Sequence, residues 1–241
     1  MEQLSNILFI DIETVPVVPD MSLMKDELQE QWIRKAAFLK RPAPENPDPA
    51  SLFSEKAGIF SEFGKVVCIG IGCLVQKEKE WQIILKSIEG DEENVLLKNF
   101  SDALKRFTDR FPDLRFCGHN IKEFDIPYLC RRMVIHGLPL PETMQLSGRK
   151  PWENNHLDTL ELWRFGDFKH FTSLSLLAAV LDIPSPKDDM DGSMVAEVYW
   201  KERDLPRIAH YCLQDVLTAC RVFLRLKGYS DVQPVPVVVN G

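Results

Sequence analysis

The 241-residue chain reads as an α/β protein, a mixed five-stranded sheet flanked by helices, and three observations predict it. Apolar runs at residues 7–10 (ILFI) and 66–75 (VVCIGIGCLV) have the length and composition of buried strands. Other stretches, such as 205–226, space their apolar residues as a helix does. The two kinds alternate, and that order fits one domain built around a sheet.

The elements follow in order. Residues 7–11 form the first strand, an apolar run that ends in an acid. An inserted helical and Pro-rich segment occupies about 17–64. Its residues 21–39 read as helix, with Leu23, Leu28, Trp32, Ile33 and Ala36 near helical spacing, and RPAPENPDPAS at 41–51 reads as loop. Trp32, Lys35, Lys40 and Arg41 could meet nucleic acid, although a helix packed on the domain is the simpler expectation. Residues 65–76 and 81–87 are expected to pair as antiparallel strands. Asp91, Glu92 and Glu93 place acids at the start of a helix that runs to about 110, with Val95, Leu96, Phe100, Leu104 and Phe107 on one face. A strand at 114–117, a helix at 124–136 and a strand at 156–158 follow. The rest is helical, at 173–183, 194–202 and 205–226, with Pro206 where its missing N–H is harmless. Residues 1–228 are thus expected to make a single domain, with 229–241 a tail that is loose or docks as an edge strand.

Composition narrows the function. Hydrophobic residues make up 45% and charged residues 27%, a globular balance that excludes wholesale disorder. Lys and Arg number 29 against 36 Asp and Glu, so the formal charge is −7, which argues against holding nucleic acid by bulk positive charge. The longest apolar run is about half the ~20 residues a membrane span needs, so no membrane association is expected. The six cysteines form no CxxC and read as buried free thiols of a reducing cytoplasm, not as zinc ligands.

Three short motifs carry chemistry. In Asp11-Ile12-Glu13-Thr14, the period of a strand points both carboxylates to one side. Such a pair repels itself unless protonated or bridged by a cation. In GHNIKEFDIPYL (118–129), Asp125 stands near a helix start, Asn120 can hydrogen-bond a ligand, and Phe124 can stack on a base or fill the core. In YCLQD (211–215), Tyr211 and Asp215 share a helix face. Each motif also has an ordinary reading, as a polar turn, an N-cap or a surface pair.

Taken together and in this order, the motifs resemble the DEDDy-type 3′-5′ exonucleases of the DnaQ-like, ribonuclease H-like superfamily. GHNIKEFDIPYL and YCLQDVLTACRVFL are most similar to the second and third exonuclease motifs of B-family DNA polymerase proofreading domains. The resemblance covers about residues 7–226, with no polymerase domain following it in this chain. It implies a ribonuclease H-like fold and hydrolysis of phosphodiesters at a nucleic acid 3′ end, single-stranded DNA in the first instance. It implies two divalent ions, Mg²⁺ or Mn²⁺, held by Asp11, Glu13, Asp125 and Asp215. Asp11 would bridge both ions, Tyr211 would orient the attacking water, and Ile12, Thr14, Asn120 and Phe124 would face the substrate, with Gly118 beside them. His210 has the spacing used by the histidine branch of the superfamily, but three residues between Asn120 and Phe124 match the tyrosine branch. An RNA-directed 3′ exonuclease and a catalytically silent nucleic-acid-binding module of the same fold are the alternatives. Asp158 is a candidate outer acid or a helix N-cap, Lys187 a candidate phosphate contact, and Asp188, Asp189 and Asp191 lack the pattern of a calcium loop.

Overall fold

The computed structural model describes residues 4–39, 48–167, 169–184, 190–229 and 231–239. Its strands are β1 (Ile7–Pro16), β2 (Gly64–Lys77), β3 (Glu80–Glu89), β4 (Arg115–Gly118), β5 (Leu157–Asp158) and β6 (Val235–Val238). They make one sheet in the order β5-β4-β1-β2-β3-β6. β1, β2 and β3 pair antiparallel, while β4 on β1, β5 on β4 and β6 on β3 are parallel. The sheet is mixed, as expected, and flanked by helices. A sixth strand joins the expected five, because part of the C-terminal tail docks beside β3.

The helices are α1 (Asp26–Phe38), α2 (Pro49–Lys56), α3 (Glu93–Arg110), α4 (Asp125–Ile135), α5 (Thr159–Arg164), α6 (Leu174–Val180), α7 (Val195–Glu197) and α8 (Leu205–Leu226). A π-helical turn over Val198–Glu202 continues α7. None of the described helices is long and apolar enough to cross a membrane.

Two details of the insertion differ from expectation. Leu23, Leu28 and Ile33 are exposed, and of the anticipated stripe only Trp32 and Ala36 are buried. Trp32 is fully buried in a small core with Met24, Leu52, Phe53 and Phe63: its ring meets Phe53 at 5.4 Å and Phe63 at 5.1 Å, and its Nε1–H donates to the Pro49 carbonyl at 2.8 Å. A Trp with its polar edge satisfied can anchor such a core. That packing leaves no face of Trp32 for nucleic acid. Residues 49–51, expected as loop, open α2, with Pro49 at the start where proline is tolerated. Lys40, Arg41, Lys187, Asp188 and Asp189 lie outside the described residues. Val95, expected on the buried face of α3, is exposed, and Leu97 takes its place in the core.

Each face of the sheet has its own cover. On one side Ile10, Ile12, Ile69 and Ile71 pack with Leu97, Phe100 and Leu104 of α3 and with Ile126 and Leu129 of α4. On the other side Phe9, Leu74, Ile83 and Leu85 pack with Leu213, Val216, Leu217 and Phe223 of α8. The position of α4 is pinned by a buried ion pair. The Glu93 carboxylate accepts the Val66 N–H at 2.8 Å, the Arg132 Nε–H at 2.8 Å and the Arg132 Nη2–H at 2.5 Å, while Arg132 Nη1 reaches the Ser61 carbonyl at 2.8 Å. Burial raises the Glu93 pKa, but the Arg132 hydrogen bonds and charge outweigh it and hold the carboxyl low.

Helix α8 lies close on the sheet because β2 carries Gly70 and Gly72 beneath it. A methyl group at Gly70 would stand 2.8 Å from Cys212 Sγ and 2.9 Å from Val216 Cγ2. A larger residue fits only if these side chains or the helix shift.

Candidate active site

β1 outruns its neighbour on one edge. It pairs with β4 only through Phe9, opposite Cys117, while on the other edge it pairs with β2 beyond Glu13. The Ile12 N–H therefore projects past the end of β4. Asp125, at the start of α4, accepts it through Oδ1 at 3.1 Å. The chain reaches α4 by a tight exit from β4. A side chain on Gly118 would run into the Ile10 carbonyl at 2.5 Å, and Asn120 adopts the left-handed region at φ 63°.

Asp11 and Glu13 project toward α8, opposite Gly70 and Cys68 of β2. α8 brings Tyr211 and Asp215 to the same place, and the Tyr211 hydroxyl hydrogen-bonds the Asp215 carboxylate. The four acids feel one another. Burial first, then the charges of Glu13, Asp215 and Asp125, push the Asp11 carboxyl well above the usual range. Burial, then Asp215 and Asp125, do the same to Glu13. Burial pushes Asp125 up to about 8, opposed by its own N–H and that of Ile12, and helped by Asp158 and Asp215. Tyr211 is raised well above the usual phenol range by burial and by Asp215, Glu13 and Asp11. The structure thus gathers Asp11, Glu13, Asp125, Asp215 and Tyr211 from two sides of one sheet. His210 is exposed on α8.

Asp11, Glu13 and Cys212 form a group that could hold a metal ion, one ligand atom from each lying within 4.8 Å of the others. The sulfur is the odd member. Its thiol approaches the Asp11 carbonyl at 3.4 Å and Oδ2 at 3.5 Å. Burial pushes the Cys212 pKa well up, so the thiol stays protonated and donates to Asp11. The donors left for a cation are carboxylate oxygens, which suit a hard divalent ion. Such an ion would offset the mutual repulsion that raises these carboxyls.

The remaining candidates fall in different places. Thr14 is half-buried and hydrogen-bonds Tyr128, whose hydroxyl donates to the Gly58 carbonyl at 2.8 Å. Ile12 sends its side chain into the core at 5% exposure, so that side chain is not offered to a substrate. Phe124 is half-buried against the Tyr128 ring, 5.4 Å between centroids. Asn120 is half-buried, and its own N–H is bound by Asp158 Oδ1 at 2.9 Å.

Asp158 does more than either expected role. It caps α5 by accepting the Leu160 N–H at 2.9 Å and the Glu161 N–H at 3.3 Å. It also accepts the N–H groups of Asn120 at 2.9 Å and Lys122 at 3.0 Å. One buried carboxylate therefore fixes the loop that leads to Asp125. Its N-cap role was readable from HLDT; the second pair of bonds depends on β4 and β5 lying side by side. Cys212 and Gly70 were missed as site residues, for they matter only once α8 is laid across β2.

Comparison with known proteins bears on the family and the fold. Residues 60–232 match a family model described as a predicted 3′-5′ exonuclease related to the exonuclease domain of PolB. That stretch contains Asn120, Phe124, Asp125, Tyr211 and Asp215, while Asp11 and Glu13 precede it. No curated protein matches the chain. Among solved structures, the family B DNA polymerase from the hyperthermophilic archaeon Pyrobaculum calidifontis is similar in fold, with a TM-score of 0.52 and 17% identity, over 92% of this chain and 24% of that one. The chain spans about a quarter of that polymerase's length, and the likeness bears out the expected α/β fold.

Proposed function

The chain belongs to the family of predicted 3′-5′ exonucleases related to the exonuclease domain of PolB, and from that premise we propose that it removes mononucleotides, in a metal-dependent hydrolysis, from the 3′ end of single-stranded DNA. One observation carries the reading. Four carboxylates that come from β1, α4 and α8 converge beside a tyrosine hydroxyl, each raising the pKa of others in the group.

Asp11, Glu13, Asp125 and Asp215 would hold two divalent ions, Mg²⁺ or Mn²⁺. Bound there, the ions would acidify the attacking water and stabilise the departing 3′ oxygen. The protein's own residues do the rest. Tyr211, far too weak an acid to lose its proton at neutral pH, positions the water through its hydroxyl and does not act as the base. Its bond to Asp215 aims it. The Ile12 N–H holds Asp125 in place, so that carboxylate arrives already oriented. Asn120 and Phe124, half-buried beside Asp125, would face the terminal nucleotide. The six free cysteines fit the reducing cytoplasm proposed as its location.

The test is direct. The pure protein is incubated with 5′-labelled single-stranded DNA or RNA in Mn²⁺, Mg²⁺ or EDTA. A ladder that shortens from the 3′ end is expected on DNA, and it should vanish in EDTA and in Asp11→Ala. Faster shortening of RNA would reassign the substrate. Binding without shortening in either ion would favour a silent module.

A further inference from the structure

We propose that the groove between the C-terminal half of α3 and residues 73–75 of β2 and 84–86 of β3 is a docking site for an acidic amphipathic helix of another protein. The inference stands apart from the nuclease reading. The sheet lies between this groove and the carboxylates that face α8.

The two faces of β2 and β3 are covered unequally. Successive side chains of a strand point to opposite faces. Leu74, Ile83 and Leu85 point to α8 and are buried. Their neighbours Cys73, Val75 and Ile84 point to the side of α3 and are only half-buried. On that side Ile71 packs in the core with α3, and beyond it the strands lie open. The result is a groove of about 750 Å³, walled on one side by Ala103 and the half-buried Phe107 of α3. A sheet in an α/β domain ordinarily carries helices on both faces. A contiguous apolar surface without that cover marks a place where something else binds.

Charge identifies the occupant. Lys86 of β3 and Arg106 and Arg110 of α3 line the groove, with no Asp or Glu among its lining residues, in a chain of 36 acids and 29 bases. Among the described residues, none of these three cations is in a salt bridge. Arg106 and Arg110 are exposed, about one helical turn apart. Arg110 lies over the Phe111 ring at 5.3 Å, and its charge reaches Cys73 on the floor. A single carboxylate cannot answer three cations that come from two elements. An apolar stripe flanked by acids can. Residues 103–110 run about 10 Å along the axis of α3, enough for two turns of a second helix. Packed beside α3 at about 8–10 Å, such a helix would complete the layer, with anchors at i, i+3, i+4 and i+7. A phosphate backbone would satisfy the cations and leave the apolar floor uncovered.

The test uses the full chain and two fluorescein-labelled helical peptides. Both carry Leu at i, i+3, i+4 and i+7; one flanks that stripe with Glu, the other with Lys. Anisotropy should show the Glu peptide binding at least about tenfold more tightly than the Lys peptide. Combining Arg106→Glu with Arg110→Glu should raise the Kd of the Glu peptide at least about tenfold and lower that of the Lys peptide. Both arginines are exposed, and a Tm close to native checks that the double variant is folded. Occupancy is read independently at Cys73. In Cys130→Ser, Cys73 is the one half-buried thiol left, and the Glu peptide should slow its capture by a maleimide. No binding of the Glu peptide, or Kd values for the two peptides that agree within about twofold or stay unchanged in the double variant, would overturn the proposal. Protection of Cys73 by dodecanoate and not by the peptide would overturn it in favour of a small anionic amphiphile. A native oligomer that the double variant dissociates, with peptide Kd unchanged, would overturn it in favour of a second copy of this chain. Loss of single-stranded DNA affinity in the double variant, with peptide Kd unchanged, would overturn it in favour of nucleic acid. None of these readouts requires 3′ shortening, so the docking site and the nuclease reading can fail separately.

Discussion

Gly70→Ala tests whether the distance between α8 and β2 governs the site. The added methyl would lie 2.8 Å from Cys212 Sγ, 2.9 Å from Val216 Cγ2 and 3.3 Å from the Cys212 carbonyl. Carbon contacts are comfortable at about 3.5–4.0 Å, so Cys212 and Val216 must give way by roughly 0.7–1 Å, through their side chains or with the helix. If the helix moves, Tyr211 and Asp215, within one turn of Cys212, retreat with it, while Asp11, Glu13 and Asp125 stay behind. Overpacking of this kind costs about 1–3 kcal/mol. At roughly 2–4 °C per kcal/mol for a domain of this size, Tm should fall by about 2–12 °C. A catalytic group misplaced by about 1 Å can cost on the order of 100-fold in rate. The assay measures 3′ shortening of a labelled oligomer in saturating Mn²⁺, at a temperature well below the variant's Tm. Gly90→Ala is the control, because a methyl there meets nothing within 4 Å. If Gly70→Ala lowers Tm as expected but keeps turnover within about threefold of native, close docking of α8 is not what poses the site, and the reasoning fails.

Asp158→Ala should strip four backbone N–H groups of their acceptor. We expect a loss of about 1–2 kcal/mol or more from the α5 cap alone, read as a lower Tm, with slower turnover as the Asn120 loop loosens. Tyr211→Phe should lower turnover at least tenfold and His210→Ala by less than twofold; the reverse order in a single-turnover assay would move the role to His210. The metal-free protein should respond to pH through Asp125. Its carboxyl titrates near 8 when folded and near ~3.9 when unfolded, so its stabilising contribution is complete below about pH 4 and is lost as pH rises toward 8. In EDTA, the Tm of the native chain relative to Asp125→Asn should therefore fall between pH 5 and 8, and Mg²⁺ or Mn²⁺ should raise Tm more at pH 8 than at pH 5. A relative Tm that is flat over that window would contradict the buried, repelling cluster.

What the sequence made legible follows from physics that acts locally. The apolar run from Ile7 marks β1, although the strand continues past Asp11 to Pro16 with Ile12 and Val15 buried. Pro206 marks the start of α8, and the Tyr211–Asp215 spacing already puts both groups on one face. The parts that escaped depend on partners distant in the chain. β5 is an exception, expected over 156–158 and found over Leu157–Asp158, the two residues that pair with β4. For the tail, loose and docked forms stand side by side, and its pairing with β3 decides for the docked strand β6. Leu23, Leu28 and Ile33 have helical spacing, yet Trp32 fills the available core and leaves them outside. Gly70 and Gly72 look like weak points in a strand until a helix lies over them. Asp158 reads as a cap, and its hold on Asn120 and Lys122 needs the neighbouring strand.

The contact between Cys212 and Asp11 joins residues 201 positions apart. That separation sets a timetable for synthesis. At about 5–20 residues per second, a ribosome that has made Asp11 needs roughly 10–40 s more to reach Asp215. Until then the N-terminal acids have no α8 to close over them. A growing chain therefore carries an incomplete site past the messenger and transfer RNA around it. The blade is fitted last, and a chain broken off before α8 would be released without it.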